Sequence, residues 1–395
     1  MKYRKHEAKD WARQNWHGLC NVIIPSYSSD LKRLNEAGIR HDVRRNIELG
    51  FWGALLVSEA ATTDAEYIEF MEIAVDEAKG RHNFLFHGCF DTVEDIVRLA
   101  QEAERIGVDG MLLGHPPSFY PQSENELYDY TEYVCSRTNL AVVGFAQPHW
   151  NFQRLHPSGY PPKVMLDAAR LENLVACKFE VGGISGHYDF WRMIKDLNVL
   201  YSDPMEANFP VSVELFGQQW SGTSGYEIFG GESPRLFKLL REGKHDEAMQ
   251  LYWRIDPIRQ MRAQLSAYMQ GAHFINRSLW KYWAWLNGYN GGPMRQPVNK
   301  VGDREMRQSR EAMLRAGFKL KEETFADFFV GRHPNLSWSW SCVTTMCGLR
   351  SPWPMRSKPW SSASARRARV AFSSRNAPTC RSITRRGFFA SGPAS

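Results

Sequence analysis

The stretch Asn173-Leu174-Val175-Ala176-Cys177-Lys178-Phe179-Glu180-Val181-Gly182-Gly183 decides the fold. It is apolar almost throughout and stops at paired glycines, as a strand of a parallel sheet covered on both faces does. One lysine interrupts it. Lysines are almost never fully buried without a partner or a task. An amine held in an apolar barrel loses hydration, which disfavours its ammonium form. The neutral amine is a nucleophile toward carbonyl carbon. Two readings of Lys178 stand side by side: it forms a Schiff base with a ketone or 2-oxo acid, or it is a structural cation paired with a carboxylate such as Glu180.

Outward from this strand, short apolar runs alternate with amphipathic stretches. Strands are expected at Asn21–Pro25, Gly53–Ser58, Asn83–His87, Gly110–Gly114, Ala141–Ala146, Val175–Val181, Val199–Ser202 and Gln219–Gly222. Ala65–Ala78 and Thr92–Ile106 carry apolar residues at helical spacing. Eight such units predict an α/β chain folded as a (β/α)8 TIM barrel. From Ser233 the pattern turns helical: Pro234–Glu242, Asp246–Ala263 with a break at Pro257, Gln264–Leu286 and Met306–Ala316. The expected organisation is an N-terminal extension over 1–17, the barrel over 18–232, a C-terminal helical domain over 233–320 and a basic tail over 335–395.

The net charge of +6 is a property of that tail: residues 336–395 hold nine Arg and Lys358 with no acid, so residues 1–335 carry −4. The tail reads either as a disordered basic extension able to touch RNA or acidic surfaces, or as non-native sequence such as translation past a frameshift. The abrupt loss of every acidic residue favours the second, and the tail is assigned no function. The charged start of the chain has no signal-peptide core, no apolar run reaches the length of a membrane span, and the seven cysteines form no CxxC pair. A cytoplasmic protein with reduced thiols, and neither membrane nor nucleic-acid partner, is expected. No Gly-rich phosphate loop is present, so no cofactor is expected.

Four segments fall in the order of one family. Gly107-Val108-Asp109-Gly110-Met111-Leu112-Leu113 matches a fourth strand, Leu140-Ala141-Val142-Val143-Gly144-Phe145-Ala146-Gln147-Pro148 a fifth, and Asn173–Lys178 a sixth. Asn287-Gly288-Tyr289-Asn290-Gly291-Gly292-Pro293-Met294-Arg295-Gln296-Pro297 matches a GxxxGxxRxP segment of the helical region. In register over residues 18–318, they resemble the dihydrodipicolinate synthase / N-acetylneuraminate lyase family of class I aldolases. The resemblance implies a TIM barrel with a small helical domain, assembly as a homo-oligomer (dimer or tetramer), and a lysine imine with pyruvate or a related 2-oxo acid, Lys178 being the nucleophile.

Two departures from the family pattern matter. Phe145 stands where the family has a proton-relaying tyrosine, and phenylalanine has no O–H. After the second strand, Leu55-Leu56-Val57-Ser58-Glu59-Ala60-Ala61-Thr62-Thr63 lacks the glycines and paired threonines that hold the substrate carboxylate. Glu59 keeps the family's glutamate, and Thr63 or Asp64 is expected to cap the next helix. Polar residues gather at the expected C-terminal strand ends, where TIM-barrel active sites lie. The catalytic candidates are Lys178, Glu59, His115 and His149, the two histidines replacing the missing tyrosine. Ser58, Phe145, Glu180, Gly182, Tyr120 and Asp203 are the substrate-binding candidates. His87 ends the third strand, where it either takes part or merely caps. The aromatic insertion Asn151–Pro162 suits a cover for a bulky partner, or an oligomer contact.

Three functions compete. The first is a Schiff-base lyase or aldolase that makes or breaks a C–C bond beside a 2-oxo group, with a bulky or aromatic aldehyde as a plausible partner. The second is a metal-dependent barrel enzyme using Glu59, His87, His115, His149 and Asp203. The third is a family member that binds a carbonyl metabolite without turnover.

Overall fold

The computed structural model describes residues 2–334, apart from 117, 151, 223–224, 272–274 and 299. The side chains of 149 and 267–271, and the whole tail from 335, also lie outside the described residues. Eight parallel strands form the sheet: β1 (Gly18–Ile23), β2 (Gly53–Leu56), β3 (Asn83–Gly88), β4 (Gly110–Leu113), β5 (Ala141–Ala146), β6 (Leu174–Phe179), β7 (Leu200–Ser202) and β8 (Trp220–Gly222). Their order is β7-β6-β5-β4-β3-β2-β1-β8, and a helix follows each strand. Side chains complete the barrel between β7 and β8. The Ser202 hydroxyl donates to the Gly222 carbonyl at 3.4 Å, and Ser221 Oγ donates to the Asp203 carbonyl at 2.9 Å. The (β/α)8 expectation therefore holds. β1 begins three residues before its expected start.

Along each strand, side chains alternate between two apolar environments. Phe84, Phe86, Met111, Leu113, Val142, Leu174, Cys177 and Phe179 pack outward under the helices. Val22, Leu55, Leu85, Leu112, Val143, Ala176 and Leu200 fill the barrel. β6 breaks the alternation once. Val142 pairs with Leu174, yet Val143 pairs with Ala176, so Val175 is an extra residue on β6. Counted strictly from the outward Leu174, Lys178 would face the helices. The bulge reverses the phase, so that Val175 and Ala176 both point inward and Lys178 does too.

The N-terminal segment is part of the barrel. Helix Ala8–Asn15 brings Tyr3, Ala8, Ala12 and Trp16 into the barrel core. The Trp16 ring lies 5.1 Å from Trp52 and 4.8 Å from Trp220, closing the barrel at the N-terminal ends of its strands. Tyr3 Oη donates to the Asp109 carbonyl at 2.8 Å and accepts the Ala141 N–H at 2.6 Å.

At the start of the second β/α unit, Thr63 is the helix cap. Its hydroxyl accepts the Glu66 N–H, and the Glu66 carboxylate accepts the Thr63 N–H. After β8 the chain forms helices Glu232–Arg241, His245–Arg254, Asp256–Gly271, Arg277–Leu286, Asp303–Arg315 and Phe325–Val330. The expected break at Pro257 falls at Ile255, because proline is tolerated in the first turn of the next helix. The expected Gln264–Leu286 helix is two helices, the second capped by Asn276, whose Oδ1 accepts the Leu279 N–H at 3.0 Å. The Asn287–Pro297 segment ties these helices to the barrel: Arg295 grips Glu66 through two bonds of 2.6 and 2.7 Å, and Asn290 Nδ2 donates to Ser26 Oγ at 3.0 Å.

Candidate active site

Lys178 is 2% exposed on the inner face of β6. It is level with Phe145 on β5 and Ser202 on β7. Its Nζ lies 3.0 Å from Glu180 Oε1 and 3.6 Å from the centre of the Phe145 ring. Burial pushes the amine below the ordinary lysine range; Glu180 opposes that shift, and the Arg277 charge adds to it. Both readings of Lys178 thus have a physical counterpart here. The ion pair and the ring face favour the ammonium, while desolvation and a second cation favour the amine.

Glu59 follows β2, and its side chain is 40% exposed. Its Oε2 accepts from Arg277 Nη2, and its Oε1 faces the Cys89 thiol at 3.5 Å. Burial would raise this carboxyl; the Arg277 charge and its hydrogen bond lead the effects that outweigh burial and hold it down at about 2. His87, the inward residue at the end of β3, accepts the Ser58 N–H on Nδ1 at 3.3 Å. Ser58 Oγ lies 3.0 Å from the same nitrogen and donates to the Cys89 carbonyl at 3.2 Å. Nδ1 being an acceptor, the ring proton sits on Nε2. Burial lowers His87 to about 4, so it is neutral at physiological pH. Charges of Glu59, Arg277 and Lys178 all act on it, making these four residues one electrostatic unit.

Arg277 is the residue that sequence reasoning missed. It opens helix Arg277–Leu286, and its side chain is 6% exposed. A signal was available. In Arg277-Ser278-Leu279-Trp280-Lys281-Tyr282-Trp283-Ala284-Trp285-Leu286 the two cations are four residues apart, hence on one face of an otherwise apolar helix. Both are buried. A cation in a first turn also opposes the helix dipole.

The remaining candidates separate from this unit. His115 sits in an aromatic nest, its ring 4.4 Å from Trp150, 4.8 Å from Tyr130 and 5.3 Å from Phe119. Burial lowers it to about 3. Contacts run from Lys178 through Phe145 to Trp150 and only then to His115. Phe152 and Tyr160 of the aromatic insertion pack around the same nest. Tyr120 is 63% exposed and carries the Arg154 guanidinium 3.8 Å above its ring. Asp203 is buried and organises the β7–β8 connection: it accepts the Met205 N–H and Asn208 Nδ2, both at 2.9 Å, and burial raises it to about 7. Gly182 (φ +79°) caps helix Gly183–Ile194, a backbone state that favours glycine. The His149 side chain lies outside the described residues.

Of the set named by the competing metal-enzyme reading, Glu59 and His87 lie together, while His115 and Asp203 lie apart from them. Among the described residues, Glu59, His87 and Cys89 are the one group of three such side chains whose donor atoms lie within 4.8 Å of one another. That trio does not suit a cation: Glu59 is already neutralised by Arg277, and the thiol is held well above its ordinary range, first by burial and then by Glu59. No helix among the described residues is long and apolar enough to cross a membrane.

A buried lysine at the C-terminal end of β6 in a (β/α)8 barrel with trailing helices can be set against known proteins. The chain is 22% identical to an N-acetylneuraminate lyase of Fusobacterium nucleatum, covering 74% of this chain and 97% of that one. It is 25% identical to a 5-dehydro-4-deoxyglucarate dehydratase of Pseudomonas putida, over 62% and 76%. The crystal structure of a dihydrodipicolinate synthase from Oceanobacillus iheyensis superposes with a TM-score of 0.65 at 16% identity, over 78% of this chain and 98% of that one. The model of the dihydrodipicolinate synthetase family matches residues 17–316, and the chain belongs to that family.

Proposed function

We propose that the protein is a Schiff-base lyase or aldolase acting on a 2-oxo acid of the pyruvate type. The observation that carries this reading is the desolvated Lys178 amine, turned into the barrel at the catalytic end of a family fold. Nζ attacks the carbonyl carbon, and the carbonyl oxygen leaves as water with the two amine protons. A proton gained at the imine nitrogen makes it an electron sink, into which the electron pair of the adjacent C–C bond flows. Phe145 cannot relay protons, so that duty falls to Glu59 and the Nε2–H of His87, which belong to the same electrostatic unit. Trp150, 4.8 Å from Phe145, supports a bulky or aromatic aldehyde as the second reactant.

The test is borohydride reduction in the presence of a panel of 2-oxo acids, pyruvate first, with peptide mapping of the adduct. An adduct on Lys178 that is absent from Lys178→Ala is the expected result. No adduct with any acid on folded protein overturns the reading. The Phe145 ring beneath the amine favours one second reading, carbonyl binding without turnover. Adduct formation without conversion of any aldehyde partner would select it.

A further inference from the structure

Resting on the imine reading, we infer that the Arg277 guanidinium is the specificity-determining group that receives the substrate carboxylate, displacing Glu59 from it. On the strand-two loop the donors of Ser58, the residue beside His87, are committed. The Ser58 N–H goes to His87 and the Ser58 hydroxyl to the Cys89 carbonyl. Arg277 is not saturated. Nη2 serves Glu59, and Nε is buried with no acceptor. A guanidinium cannot shed its proton, and an unmet buried N–H is costly, so an anion completes this group. Its planar fork suits a carboxylate bound through two parallel hydrogen bonds.

The position is also right. Arg277 is paired with Glu59 at the strand-two loop and its charge acts on Lys178; in the inferred complex the 2-oxo acid places its carboxylate on Arg277 and its carbonyl carbon toward Nζ. Of the two partners in the existing ion pair, Glu59 is the one open to solvent, at 40% against 6% for Arg277. Glu59 is therefore the one that can swing away while Arg277 stays. The exchange releases the Glu59 carboxylate beside His87 as the substrate arrives, so the group that moves protons becomes available only when a carboxylate is bound.

The experiment compares borohydride trapping of pyruvate with that of its neutral isostere pyruvamide, in the full-length wild type, Arg277→Met and Arg277→Lys. Losing a charge-assisted anchor reduces the pyruvate-over-pyruvamide preference by roughly a hundredfold. Arg277→Met is expected to lose it and Arg277→Lys to restore part of it. A preference that survives in Arg277→Met overturns the inference while leaving the imine intact. Arg277→Met strands Glu59, so the paired variant Glu59→Gln/Arg277→Met covers a folding failure. Calorimetric binding of pyruvate in a Lys178→Met background makes the test independent of the imine. Affinity lost on adding Arg277→Met, or Glu59→Gln/Arg277→Met, supports the anchor even where no adduct forms; unchanged affinity overturns it.

Discussion

Among the described residues two lysines are buried, and they differ in what surrounds them. Lys178 points into the barrel beside Glu180 at 3.0 Å, under the influence of Arg277. Lys281, four residues after Arg277 on the same helix, donates to the Pro25 carbonyl at 2.7 Å. Burial lowers both amines, and a carboxylate opposes the shift in each case, Glu180 for one and Asp42 for the other. Asp42 is itself locked, accepting the Asn290 N–H at 2.6 Å. Lys281 thus pins the C-terminal helices to the barrel through fixed partners. Lys178 faces a ring, a carboxylate and a second cation at the strand ends where barrel enzymes do chemistry. Burial and a lowered amine therefore do not nominate a nucleophile by themselves. Its position on the strand and the groups it faces do.

The comparison breaks first at the covalent step. Lys178→Ala is expected to lose borohydride trapping by a thousandfold or more, on the order of 4 kcal/mol. Lys281→Met is expected to be labelled at Lys178 as the wild type is, which peptide mapping checks. If adducts appear on Lys281 instead, the assignment of roles is reversed.

Stability should separate the two in the opposite sense. Removing Lys281 leaves Asp42 buried against its surroundings, an expected loss of about 3 kcal/mol in urea unfolding. Lys178→Met, a substitution that fits an apolar barrel and leaves the partly exposed Glu180 within reach of water, should cost less. Equal losses would make Lys178 as structural as Lys281.

Glu180 sharpens the comparison through pH. Trapping needs the neutral amine, so its rate should rise with pH and level off once pH passes the folded-state pKa of Lys178, which lies below the ordinary lysine value. Glu180→Gln removes the charge that raises that pKa. The plateau should move to lower pH, and trapping near pH 7 should become up to about tenfold faster, roughly 1.4 kcal/mol. A profile that does not move means the 3.0 Å pair does not hold the ammonium. The smallest effect is expected at Phe145→Tyr. It returns an O–H beside Lys178, and on the proposed assignment of proton transfer to Glu59 and His87 aldol turnover should gain a few-fold at most, less than about 1 kcal/mol. A larger gain, measured as kcat with trapping unchanged, would show that the native site lacks a relay.

Much of the fold was legible in the chain. Eight apolar runs at regular intervals, the Thr63 cap and the helical periodicity after residue 233 are local signals, each written within one turn or one strand. The family segments placed Lys178 on its strand, and the two-residue spacing to Glu180 gave a shared face. The site was less legible. Titration near neutrality makes His115 a candidate from the sequence, but its neighbours are aromatic rings drawn from distant parts of the chain, and they shield it. His87, read as an optional cap, holds the central place because its strand phase turns it inward.

What the sequence determined by itself was therefore the order of elements, the barrel class and the identity of the interrupting lysine. Only the tertiary structure decided which way that lysine points, since the extra residue at Val175 exists only in register with Val142 and Val143 on the neighbouring strand. Only the tertiary structure brought Arg277 to Glu59, across 218 residues of chain, and Tyr3 to Ala141 across 138. Periodicity records which face of an element is apolar. It carries no record of which distant element will cover that face, because that is settled by packing many faces at once.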